Sequence, residues 1–154
     1  MIRLERTKDY ELVASIMAHP KLYPWIADDF YPSPENFLAN DSDAIYYLVA
    51  WDDLELLGVC ITHPINAILW EVHHALLPKS WGERAAEIAR AFDAWLWEYT
   101  HAVKAVGFTP SCNRLALRFA RRAGMTEVGR VTRAYQRFGQ LYDLVIFEKA
   151  RPTT

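Results

Sequence analysis

The chain has 154 residues, with 17 Lys and Arg against 19 Asp and Glu, 52% hydrophobic and 14% aromatic residues, which is the length of one domain and excludes a disordered chain. Its two cysteines, Cys60 and Cys112, exclude a disulfide framework, and no Cys/His cluster suggests zinc. The net charge of −2 conceals a division: residues 1–77 carry 4 basic and 12 acidic side chains (−8), and residues 78–154 carry 13 and 7 (+6), so the second half suits an anion.

The start, MIRLERTKDY, is charged and lacks a signal peptide's apolar stretch, and no apolar run reaches the ~20 residues of a membrane span. A cytoplasmic protein without membrane contact is expected. Ile2 to Glu5 alternates as a short strand. Asp9 to His19 predicts a helix with Tyr10, Val13, Ile16 and Met17 on one stripe, stopped by Pro20. Residues 21–34 hold three prolines and many aromatics, which predicts a short helix within irregular chain. Ser33 caps and Pro34 opens a further helical turn through Leu38.

Ala44 to Trp51 and Leu56 to Thr62 then predict a hairpin about Asp52-Asp53, and Ile68 to Leu77 a third strand ended by Pro78. Ser80-Trp81-Gly82-Glu83 fits a capping box. The helix after it buries Ala85, Ile88, Ala89, Phe92, Trp95, Leu96 and Tyr99. Val103 to Thr109 is a strand, Asn113 caps a helix through Ala123, and Gly124 ends it. Val128 to Tyr135 and Leu141 to Glu148 make a last hairpin. This is an α/β order with one helix-connected crossover, in a single three-layer domain.

The strand-to-helix junction at 76–87 presents free amides and the positive end of a helix dipole, which suits phosphate. Leu76-Leu77-Pro78-Lys79-Ser80-Trp81-Gly82-Glu83-Arg84-Ala85-Ala86-Glu87 and the later Phe108-Thr109-Pro110-Ser111-Cys112-Asn113-Arg114-Leu115-Ala116, with Phe119 and Ala123-Gly124-Met125, carry a family pattern in order and spacing. In these stretches the chain resembles the GNAT superfamily of acyl-CoA N-acyltransferases, and Arg133, Gly139 and Asp143 are similar to small phage-encoded members of it. The resemblance implies one GNAT-like domain over residues 1–154, with a central mixed, mostly antiparallel sheet of about seven strands flanked by helices in the order β-α-α-β-β-β-α-β-α-β-β.

It also implies acetyl-CoA as co-substrate, no metal, and a direct transfer of acetyl to a primary amine of a small molecule or protein, in host cytoplasm if phage-encoded. The cofactor-binding positions carried over are Leu76, Leu77, Trp81, Gly82, Glu83, Arg84, Ala85, Ala86 and Asn113. Trp81 stands where the family has Gln or Arg, and Arg84 where it has a nearly fixed Gly. Arg84 either points aside or contacts a phosphate, and Glu83 adds an unhelpful negative charge.

Strand alternation puts Glu71, His73 and Ala75 on one face and Trp70, Val72 and His74 on the other. Glu71 matches the family's general base by position, and His73 shares its face; both residue types can take a proton from an ammonium. The alternative is an ion-paired Glu71 beside a structural His73. Ala120 replaces the tyrosine that often protonates the leaving thiolate. Arg114, Arg118, Arg121 and Arg122, extended by Arg130, Arg133 and Arg137, face solvent or attract the CoA phosphate. Asp28 and Asp29, among Tyr23, Trp25, Phe30 and Tyr31, suit a cationic acceptor or simply face water. A catalytically inactive CoA-binding or interaction module is the alternative function. Nucleic acid is disfavoured as a partner because no binding motif is present, and a homodimer is allowed.

Overall fold

The computed structural model describes residues 1–31, 33–36 and 39–153. Seven strands form one sheet in the order β1-β2-β3-β4-β5-β7-β6. They are β1 (Ile2–Thr7), β2 (Tyr46–Asp52), β3 (Glu55–Pro64), β4 (Leu69–Leu76), β5 (Lys104–Pro110), β6 (Thr126–Arg137) and β7 (Gln140–Ala150). The helices are α1 (Tyr10–Met17), α2 (Tyr23–Ile26), α3 (Glu83–Tyr99) and α4 (Arg114–Arg122). Neighbouring strands are antiparallel except β4 and β5, which α3 joins as a parallel pair. This is the expected α/β architecture and element order. Pro34–Asn36 forms one 3-10 turn, and Leu38, the predicted end of that turn, lies outside the described residues.

Period-two alternation divides the core into two layers. On β2, Leu48 and Ala50 face α3, where they meet Ile88, Phe92 and Leu96. Tyr47 and Val49 face the other way and join Val13 and Ile16 of α1. Each fully buried side chain of that size stabilises by about 1.5–3 kcal/mol relative to exposure. The inward face of α3 differs from the predicted one at four positions, with Trp95 only half-buried. Ala86 and Trp97 are buried, whereas Tyr99 is exposed in the last turn and lies against Trp95 with the rings tilted by 34° and their centroids 5.8 Å apart. Ala120, Val145 and Phe147 make a smaller third cluster between α4 and the last hairpin.

Two local devices set the strand that matters most. Gly58 of β3 has φ +149°, and a Cβ there would lie 2.5 Å from the Ala75 carbonyl oxygen and 2.8 Å from the Leu76 Cα. Only glycine lets β3 approach the end of β4 so closely. The second device is the short pairing of β4 with β5. The two pair only over Leu69–Glu71 and Lys104–Val106. Past that point β4 stays with β3 as far as Leu76, and β5 stays with β7 as far as Pro110, so the central strands part.

Candidate active site

A cleft of about 720 Å³ lies beside the end of β4, where that strand has left β5, and is walled by α2, α3 and α4. His74 and Leu76 line it from β4, Gly82, Ala85 and Ala86 from the start of α3, and Asn113, Arg118 and Phe119 from α4. Trp25 and Ile26 of α2 close one side. The Leu77 N–H donates to the Leu57 carbonyl at 2.9 Å, so alternation turns the backbone of Leu76 the other way, toward β5. Leu76 therefore offers main-chain groups to the gap. Its carbonyl already accepts from Trp81 Nε1 at 2.8 Å, which ties the turn to the strand end.

The predicted capping box does not form. Ser80 is buried in a 3-10 turn (Pro78–Ser80), and its hydroxyl donates to the carbonyls of Leu57 (3.0 Å) and Leu77 (2.7 Å). Helix α3 begins instead after Gly82, at φ +89°, with no side-chain cap. The first amides of α3 are left free of the competitor that a capping serine would supply. Glu83 turns outward to pair with Arg122, which neutralises the charge that the sequence placed beside this helix start. Arg84 points aside, onto Glu55 at 2.8 Å and Asp52 at 3.2 Å.

Of the nine predicted cofactor-binding residues, Leu76, Trp81, Gly82, Ala85, Ala86 and Asn113 line the cleft, and Leu77, Glu83 and Arg84 do not. Asn113 caps α4 by accepting from the Ala116 N–H at 3.1 Å and donates from Nδ2 to the Trp25 carbonyl at 3.3 Å. It thereby fastens α4 to α2 across the cleft. Gly124 closes α4 with φ +80°, and the N–H of Met125 returns to the Ala120 carbonyl.

The two predicted catalytic residues come together on the other face of β4. Glu71 Oε1 lies 3.1 Å from His73 Nε2, and Glu71 Oε2 lies 3.1 Å from His63 Nε2. Neither Glu71 nor His73 lines the large cleft. The hydrogen bond from His73, with smaller help from His63, holds the Glu71 carboxyl below the usual range against the opposing effect of burial. Sequence reasoning missed His63, which β3 places directly opposite Glu71 in the hairpin register. It also missed His74 as a cleft residue. That imidazole packs edge-on against Phe92 and Phe119, and burial pushes its pKa down to about 3. Its Nε2 has no hydrogen-bond partner among the described residues.

The acidic and basic residues read from the sequence divide in role. Asp29 accepts from the Phe138 and Gly139 N–H groups at 2.8 and 2.9 Å, so it docks its loop onto the β6–β7 turn. Asp28 accepts from the Phe30 N–H and lines a smaller cavity of about 220 Å³ with Tyr31 and Tyr135. The Tyr135 hydroxyl donates to the Ala27 carbonyl, and burial pushes its pKa to about 12. Arg137 is buried with its Nε donating to the Pro24 carbonyl. Arg133, at φ +52°, donates its N–H to Asp143 in an irregular stretch of the last hairpin. Arg121 and Arg130 pair with Glu127. Arg114 and Arg118 line the cleft and have no ion-pair partner among the described residues.

The fold is that of the GNAT acetyltransferases. Spermidine N-acetyltransferase from Vibrio cholerae, in complex with CoA and spermine, superposes with a TM-score of 0.75 at 14% identity, covering 97% of this chain and 94% of that chain. Aminoglycoside acetyltransferase AAC(6')-Ib, in complex with coenzyme A and kanamycin, gives 0.71 at 15% identity, with 98% and 94% covered. The protein smu.2055 from Streptococcus mutans gives 0.75 at 17% identity, with 97% and 98% covered. No curated protein matches the sequence. No helix among the described residues is long and apolar enough to cross a membrane. The model of the family described as "Protein of unknown function (DUF2824)" matches residues 35–152, and the chain belongs to that family.

Proposed function

We propose that this chain is an N-acetyltransferase that moves the acetyl group of acetyl-CoA onto a primary amine of a small molecule or protein. The observation that carries this reading is the parting of β4 and β5 into a cleft whose wall includes the uncapped start of α3. Uncapped helix amides and the helix dipole favour a pyrophosphate. Arg114 and Arg118 on the facing helix suit further phosphate oxygens. The likeness in fold to acetyltransferases that hold CoA supports the same ligand.

In the proposed reaction the amine nitrogen attacks the thioester carbonyl. The N–C bond forms, the C–S bond breaks and CoA leaves as the thiol. A main-chain N–H at Leu76, turned toward the gap, would stabilise the oxyanion. The ammonium must first lose its proton. Glu71 accepts from His73 Nε2, which leaves Nδ1 of that ring as the proton acceptor in this tautomer. We assign His73 as the base and Glu71 as the group that orients it. The amine then approaches from the face of β4 opposite the cleft. Ala120 supplies no acid, so the proton for the leaving thiolate comes from water or from another group such as Tyr135, Tyr142 or Cys112.

A second reading, a CoA-binding module without transferase activity, is favoured by Ala120 and by the occupied Leu76 carbonyl. Thiol release from acetyl-CoA with a panel of primary amines separates the two. The first reading predicts amine-dependent release with one acetylated amine per thiol. Acetyl-CoA binding without release from any amine supports the second.

A further inference from the structure

His63, Glu71 and His73 converge more closely than acid–base work requires. β3 and β4 place His63 and Glu71 directly opposite, and His73 stands two residues along on the same face. Both imidazoles present Nε2 to the carboxylate, one to each oxygen, at 3.1 Å. The two rings are nearly parallel, at 24° with centroids 6.2 Å apart. One donor atom from each residue lies within 4.8 Å of the others. No Lys or Arg pairs with Glu71 among the described residues.

Two donors on one tetrahedral metal ion lie about 3.3 Å apart when each bond is about 2.0–2.1 Å long. Each His–Glu separation, one to each carboxylate oxygen, is already near that value, and with all three donors within 4.8 Å of one another a closing of the two rings brings them onto one ion. Two neutral imidazoles and one carboxylate are also a donor set that zinc takes while keeping a fourth position open. When Nε2 of His63 ligates, its Nδ1 carries the proton and faces the Pro64 carbonyl at 3.5 Å, the backbone acceptor that commonly fixes a ligating ring. The His73 side chain is 44% exposed, which leaves an entry path and an open coordination position.

We infer that His63, Glu71 and His73 form a binding site for a first-row divalent cation, with zinc the best match to the donor set. The expectation of a metal-free chain rested on the lack of Cys/His spacing in the sequence. Here the ligands are assembled across a hairpin, where no local spacing reveals them. The inference does not rest on acyl transfer. If both hold, a bound ion occupies Nε2 of His73 and leaves Nδ1 protonated, so the ion withdraws the proposed base.

The test uses the full chain, stripped with chelator and titrated with zinc chloride against a chromophoric competitor. One zinc per chain is expected, with affinity reduced at least about tenfold in each of His63→Ala, His63→Gln and His73→Ala. Cys112→Ser should bind as the wild type does. Circular dichroism verifies that each variant is folded. Cobalt substitution in the wild type gives a second readout, the intense visible bands of a four- or five-coordinate ion. Absence of zinc binding at millimolar metal overturns the inference, as does equal affinity in the wild type and the folded histidine variants.

Discussion

Arg84 reaches from the first turn of α3 to Glu55, and its guanidinium sits 2.8 Å from that carboxylate, outside the cleft lining. An arginine at a position where the resembling family keeps glycine therefore does not obstruct the helix start. The glycine-only backbone has moved two residues earlier, to Gly82 at φ +89°, where a Cβ would meet nothing within 4 Å. The space is open, but the conformation is not one that side chains adopt. Arg84→Ala is expected to leave acetyl-CoA affinity unchanged by calorimetry. Gly82→Ala is expected to cost about 1–3 kcal/mol of stability through backbone strain. It should also weaken acetyl-CoA about tenfold by displacing the free amides.

Gly58 is under a different constraint, contact with backbone on both counts. Its Cβ would come within 3.0 Å of two main-chain atoms of β4. Gly58→Ala should destabilise the chain by about 2–4 kcal/mol in urea denaturation. It should also disturb the cleft, because the atoms struck belong to Ala75 and Leu76. A variant as stable as the wild type would show that the two strands can separate at little cost.

His74 makes stability depend on acid. Its folded pKa, about 3, lies below the ordinary imidazole value of 6.5, so the unfolded chain binds the proton more tightly. Above pH 6.5 the imidazole is neutral in both states and no stability is lost. As pH falls from 6.5 toward 3 the unfolded state is favoured by up to a few kcal/mol. His74→Phe removes this titration, so its denaturation midpoint should fall less steeply across that window. Parallel pH profiles for the two proteins would contradict the burial argument.

Glu71 and His73 should behave as a unit in turnover. His73→Ala is expected to lower kcat by about 10²-fold with little change in KM for acetyl-CoA. Glu71→Gln retains the shape but not the charge that stabilises a protonated His73, and should lower kcat by a similar order. The His73→Ala, Glu71→Gln double variant should then cost little more than either alone, as measured by steady-state rates. Additive losses would separate the two roles.

The elements that local pattern controls were legible in the sequence. The faces of β4 follow from alternation alone, and the Asn113 cap and the Gly124 terminus follow from residue type. What failed depended on distant partners. Ser80 satisfies the capping-box pattern, yet the start of β3 lies over it and its hydroxyl turns to the carbonyls of Leu57 and Leu77. Arg84 could point either way until the β2–β3 turn, 29 and 32 residues earlier, was placed beside it. His63 meets Glu71 only through hairpin register, and no periodicity within one strand reports that pairing. The charge division of the chain was also only partly a division of sites. Arg121, Arg122, Arg130 and Arg84 are held in ion pairs, which leaves Arg114 and Arg118 as the arginines at the cleft without such a pair among the described residues.

The central claim is that the cleft between the end of β4, the start of α3 and α4 takes acetyl-CoA. Isothermal titration of the full chain with acetyl-CoA tests it most directly. The account predicts saturable binding of one ligand per chain, weakened in Gly82→Ala and in an Arg114→Ala, Arg118→Ala double variant, and reduced by added salt. No heat of binding at millimolar acetyl-CoA, from protein shown to be folded, would contradict it.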